Sequence, residues 1–140
     1  MSAIRIGDLE LRFLQDRHGT NGSLDLFEMT VQPHANMPVA HYHESWDETV
    51  YGLVGTTTWR VDGRDVEVGP GETVFIPRGV VHAFRNGTNE PATCLNLLTP
   101  GALGPEYFQE VAAQASEGAP DSERMRAVMM RYGLIPSTDA

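Results

Sequence analysis

The chain has 140 residues, which suits one domain with one core and leaves too little for two of ordinary size. It carries 19 acidic and 10 basic residues, every basic one Arg, for a formal net charge of −9. So acidic a chain repels phosphate backbones and anionic membrane surfaces, so neither nucleic acid nor a membrane is expected as a partner, and the lack of Lys removes Schiff-base and P-loop chemistry. Cys94 is the only cysteine, so no intramolecular disulfide can form. No run approaches roughly 18 apolar residues and the opening MSAIRIGDLE lacks an apolar signal core, so a cytoplasmic protein is expected.

Leu9, Leu11 and Phe13 alternate with Glu10 and Arg12, the period of a half-buried strand, and a second strand follows from Leu24 to Val31. The stretch between, His18 to Ser23, reads as a loop. Pro33 and Pro38 then hold an extended approach to His41 and His43, which lie two apart and so face the same way on a pleated strand, roughly 6–7 Å apart at their Cα atoms. Met37 and Val39 share that parity. Glu48 lies an odd number of residues beyond His43 and reaches the same space only if the chain turns within Glu44-Ser45-Trp46-Asp47. With that turn, Glu48, Val50 and Val54 are expected on the inner face of the next strand, with Tyr51 outside.

Two runs, TTTWRV and RDVEV, flank Asp62-Gly63 and predict an antiparallel hairpin. ETVFIP and VVHAFRNG follow, the second placing His82, Phe84 and Asn86 on one face, and Ala92 to Leu98 is the last predicted strand of the body. Roughly eight or nine short strands spaced by turn signals predict an all-β sandwich or barrel over 1–100. The remainder, 101–140, reads as a helical tail that packs on the barrel or on a partner subunit. Its first helix runs from Pro105 to Ala115 with Phe108, Val111, Ala112 and Ala115 inward. After a linker at 116–120, its second helix runs from Ser122 to Tyr132, capped by Asp121 or Ser122, ended by Gly133, with Met125, Val128, Met129 and Tyr132 as its apolar stripe. The last few residues are expected to fray.

Folding these strands about a common interior brings His82 opposite His41, His43 and Glu48. Three imidazoles and one carboxylate suit one divalent transition-metal ion, with Fe, Mn, Ni, Co, Cu and Zn all compatible. Glu44 and Asp47 are rival carboxylates expected in solvent; His18 and His34 read as loop histidines. Arg60, Arg64, Arg78 and Arg85 mostly face outward by parity. Phe84, Val50, Met37, Val39, Trp59 and Leu97 are candidates for the pocket wall, Cys94 is most simply a core residue that could reach the pocket, and Asn86 is expected to complete a turn.

The spacing G-x5-H-x-H-x4-E-x6-G, met at His41, His43, Glu48 and Gly55 with Ala35 in place of the opening glycine, resembles the first motif of the cupins. Gly71, Pro77, Gly79, His82 and Asn86 match their second motif, G-x5-P-x-G-x2-H-x3-N, in full. The tail is similar to those of small quercetin-dioxygenase-like cupins. This resemblance implies a jelly-roll (double-stranded β-helix) barrel with a short pair of C-terminal helices, a metal near one end, and a homodimer. It further implies a metal-dependent oxidoreductase of dioxygenase type acting on a small oxygenated or aromatic compound, with Glu48 also taking a substrate proton. The same residues suit a non-redox isomerase, cyclase, lyase or decarboxylase, or a non-catalytic module that binds a small ligand.

Overall fold

A computed structural model describes residues 2–36, 39–115 and 122–137. Met37, Pro38, the linker at 116–120, the capping groups Asp121 and the Ser122 side chain, and the chain end at 138–140 lie outside the described residues.

Two antiparallel sheets form the body. One holds six strands in the order β1 (Ile4–Ile6), β2 (Leu9–Gln15), β3 (Asp25–Val31), β10 (Ala92–Thr99), β5 (Asp47–Val54), β8 (Thr73–Ile76). The other holds five: β11 (Leu134–Pro136), β4 (His41–His43), β9 (His82–Arg85), β6 (Thr57–Val61), β7 (Arg64–Val68). Many adjoining strands, β3 with β10, β10 with β5 and β4 with β9 among them, are far apart in sequence, as in a jelly roll, and helices α1 (Gly104–Ala115) and α2 (Ser122–Arg131) follow the body. β1 and β11 are additions to the predicted strands; each is three residues long, too short for a period-2 pattern to register.

Alternation dictates the inside. β3 buries Asp25, Phe27, Met29 and Val31, and β10 buries Ala92, Cys94, Asn96 and Leu98. Asp62 and Gly63 both have positive φ, 50° and 77°, so the β6–β7 hairpin turns through the mirror-image geometry that matches strand twist. Two expectations of inward side chains, Val54 by parity and Leu97 as a pocket-wall candidate, fail. Val54 is 60% exposed because β5 shifts register against β10 between Thr93 and Cys94, inserting Leu53 and reversing the alternation beyond Gly52. Leu97 lies on the outer face of β10, and its neighbour Leu98 is the buried one.

The tail docks through specific contacts. Phe108 of α1 packs against Phe13 and Phe27, with ring centroids 5.8 and 5.3 Å away. Asp25 is fully buried, and its carboxylate accepts N–H bonds from Arg17, Ala102, Leu103 and Gly104 at 2.9–3.2 Å. A negative group at a helix N-terminus also meets the favourable end of the helix dipole, so Asp25 fixes where β10 hands over to α1. Val128 and Met129 of α2 are buried as its stripe predicts.

Candidate metal centre

The site spans the two sheets. His41 and His43 come from β4 and His82 from the adjacent β9, where the Cα atoms of His41 and His82 are register partners. Glu48 comes from β5 of the opposite sheet, across the interior. The turn at 44–46 that parity demands is present between β4 and β5. The second motif meets the first through a Gly79 N–H bond to the His43 carbonyl, 2.8 Å. Ala35 keeps ordinary backbone geometry where the motif has glycine; the left-handed residue of that turn is His34, φ 62°.

One ring nitrogen from each of His41, His43 and His82 lies within 4.8 Å of the others, and all three residues are buried. The Nδ1 of His41 lies 3.1 Å from the Val39 carbonyl and that of His82 lies 3.0 Å from the Val80 carbonyl. A carbonyl only accepts, so each Nδ1 carries the proton and each Nε2 turns a lone pair inward, the outer hydrogen bond that fixes a metal-binding tautomer. His41 Nε2 and His43 Nε2 are 3.2 Å apart, and Glu48 Oε1 is 3.8 Å from His43 Nε2 and 3.7 Å from His82 Nε2. His43 Nδ1 is buried with no partner among the described residues. Converging lone pairs and a carboxylate oxygen around one point, with too few protons to pair them, fit a cation, and the nitrogen-rich set suits a transition metal.

Burial first, and then the neighbouring His82, push the His41 pKa from 6.5 down to about 3. The same causes, with His41 added, drive His43 far below its ordinary range. Both therefore stay neutral when the chain is folded, while the unfolded chain protonates them below pH 6.5. Stability is then present above pH 6.5 and lost as pH falls toward 3, with a slope approaching about 1.4 kcal/mol per pH unit for each histidine. Burial raises Glu48 above 4.5, which acts in the opposite sense in the acid part of that window. Metal-free protein is expected to show a markedly lower urea midpoint at pH 5.0 than at pH 7.5; equal midpoints would refute this.

A cavity of about 570 Å³ opens from the histidines. Its wall includes Val39, Trp59 and Phe84, as expected, while Val50 and Leu97 lie off it. Periodicity gave no sign that Phe27, Leu98 and Tyr107 line it, nor that Asp8 and Arg126 stand among its charged lining residues. Arg60 and Arg85 are engaged by Asp65, and Arg78 by Asp47, all at the surface. Glu44 is exposed, and Asp47 is held by Arg78 rather than left to solvent. His18 pairs with Glu106 and His34 with Asn89, both away from the site. Asn86 binds the Val31 and Glu90 carbonyls and Thr88, completing a turn. Cys94 is buried off the cavity wall, with its thiol 3.2 Å from Asn96 Oδ1.

Three further residues adjoin His43 or Glu48. Asn96 donates to Glu48 Oε2 at 2.7 Å, Trp46 stacks on His43 at 4.6 Å between centroids, and Leu134 pairs with His43 across the sheet. Trp46 lies in the turn between β4 and β5, which no periodicity marks, and for Asn96 in its strand-like run polarity at an inward position is the one signal.

Among known proteins, quercetin 2,3-dioxygenase of Bacillus subtilis (strain 168) is 29% identical over 101 residues, which cover 72% of this chain and 29% of that protein. The tetracenomycin polyketide synthase protein TcmJ of Streptomyces glaucescens is 35% identical over 66 residues, 47% of this chain and 44% of that protein. The chain thus matches less than half the length of either relative. The solved structure of the polyketide cyclase RemF from Streptomyces resistomycificus superposes with a TM-score of 0.62 at 30% identity, covering 70% of this chain and 72% of that one. Among the described residues no helix is long and apolar enough to cross a membrane. The family model described as a cupin domain matches residues 27–98, just over half of the 140, and together with the two antiparallel sheets and the buried histidine triad this shows that the chain belongs to the cupin family.

Proposed function

We propose that the chain is a metal-dependent oxidoreductase of dioxygenase type acting on a small oxygenated or aromatic compound. In this reading His41, His43, His82 and Glu48 hold one divalent ion. The observation that carries it is the buried histidine triad facing directly into a cavity of about 570 Å³, large enough for a compound of a few fused rings. The likeness to quercetin 2,3-dioxygenase supports the redox assignment.

A bound ion would supply Lewis-acid polarisation of a substrate oxygen and, for a redox-active metal, reactivity toward O₂. The chain's own residues do the rest. Trp59, Phe84 and Phe27 give flat apolar walls that orient a ring and exclude water. Trp59 can present its face because its Nε1–H is already bonded to Thr57 Oγ1, 2.9 Å. Glu48 Oε1, aimed at the same space as the histidine nitrogens, is the base for a substrate hydroxyl proton once it shifts off the ion.

A second reading keeps the site and drops the redox step: a cyclase, isomerase or lyase. The match to RemF, a polyketide cyclase, favours it. Metal analysis of protein purified without a His-tag, followed by O₂ uptake on flavonols, catechols and diketones, separates the two. Metal-dependent O₂ consumption is expected, together with a Glu48→Gln variant that loses at least roughly 100-fold in turnover. Turnover of the same compounds without O₂ would transfer the assignment to the second reading. Full turnover by Glu48→Gln at full metal content would remove its role as base.

A further inference from the structure

We propose that Asn96, tied to Glu48 on one side and to Cys94 on the other, is a positioning residue that makes Glu48 present one oxygen, Oε1, to the three histidines. The inference rests on the reading of Glu48 as a ligand. Cys94, Asn96 and Leu98 alternate inward along β10, and that strand pairs with β5 so that Asn96 faces Val50 and Leu98 faces Glu48. Asn96 and Glu48 are therefore diagonal neighbours on the inner face of one sheet, a spacing that long side chains bridge.

Asn96 and Cys94 are each 1% exposed, so water cannot replace the bonds they make. Asn96 Nδ2 donates to Glu48 Oε2 at 2.7 Å, and the Cys94 thiol donates to Asn96 Oδ1 at 3.2 Å. The two contacts agree on the amide orientation. A carboxylate has only acceptors to offer, so the NH₂ end must face Glu48, and the oxygen end then receives the thiol proton. With Oε2 occupied, Oε1 is the oxygen 3.7–3.8 Å from the inward nitrogens of His82 and His43. Turning the carboxylate so that both oxygens face the centre would strand a buried N–H, which costs about 1–3 kcal/mol. Single-oxygen ligation leaves more of the ion's coordination shell for substrate, so the hook controls how many open positions the centre keeps.

The test is a double-mutant cycle read by Co(II) affinity, from chelator competition, and by the Co(II) visible spectrum, which reports coordination number. Asn96→Leu keeps the volume and removes the donor. Its affinity is expected to fall roughly 10–100-fold with an altered spectrum when Glu48 is present, and to change less than about twofold in the Glu48→Gln background. An equal loss in both backgrounds would assign Asn96 to packing and overturn the proposal, as would no loss at all. If Glu48→Gln by itself leaves affinity and spectrum untouched, the ligand reading of Glu48 fails first and takes this inference with it. Should Asn96→Leu not fold, the Cys94 variants carry the test: weaker binding in Cys94→Ala, restored in Cys94→Ser, supports the hook, and equal binding in the two overturns it.

Discussion

Replacing His82 with alanine is expected to leave a folded protein that no longer retains metal through dialysis, with affinity down by more than the roughly 100-fold that loss of an outer hydrogen-bond partner costs. His82 is the one member of the triad supplied by β9. Its Nδ1 is anchored on the Val80 carbonyl, and its Nε2 lies 3.7 Å from Glu48 Oε1. No other imidazole among the described residues can take its place, since His18 and His34 are exposed and engaged elsewhere. Truncation also leaves the buried Glu48 beside two neutral rings, which weakens the pull on any ion that enters. Metal content after dialysis and chelator competition measure the loss, and circular dichroism of the metal-free variant checks the fold. His34→Ala, as a control, should bind as the unmodified chain does. A His82→Ala protein that keeps a full equivalent of metal would show that the centre lies elsewhere.

Deleting residues 134–140 is expected to weaken metal binding by at least roughly 10-fold and to lower stability by about 2–4 kcal/mol, read as a Tm drop on the order of 5–10 °C. The reason lies in how little else holds β4. That strand is three residues long and meets β9 through the His41–His82 pair. β11 pairs with it along its whole length, Leu134 with His43, Ile135 with Tyr42 and Pro136 with His41. Glu44 donates to the Gly133 carbonyl at 3.0 Å and Ser137 to the Ala40 carbonyl at 2.9 Å, so both ends of the histidine strand are tied down. Gly133 is also the floor beneath Trp46, which stacks on His43. Its φ of 90° strains any L side chain, and an added Cβ would lie 3.0 Å from Trp46 Cζ3, so the indole would have to give way. Gly133→Val should therefore reproduce the binding defect without any deletion. Undiminished metal affinity in the shortened protein would mean that the histidine strand holds its shape unaided.

Local chemistry in the chain order determined a great deal about this protein. Period-2 runs and the Asp62-Gly63 turn specified most strands, because alternation and left-handed turn residues act over a few bonds. The i, i+2 spacing of His41 and His43, and the turn that their parity with Glu48 demands, followed from the same pleat. The two motifs then marked His82 as their companion, and the structure brings the three rings together. Tertiary structure decided what depends on contacts between distant segments. Asn96 meets Glu48 across 48 positions of sequence, and nothing in its own neighbourhood announces a partner. The exposure of Val54 follows from a register shift against β10, which no single strand encodes. Leu134–Pro136 becomes a strand only because β4 offers it an edge, and Arg126 joins the cavity wall only because α2 lies beside it. The candidate ligand set was thus a matter of local spacing, whereas the contacts that orient those side chains come from closure of the barrel and docking of the tail, which pair groups that chain order keeps apart.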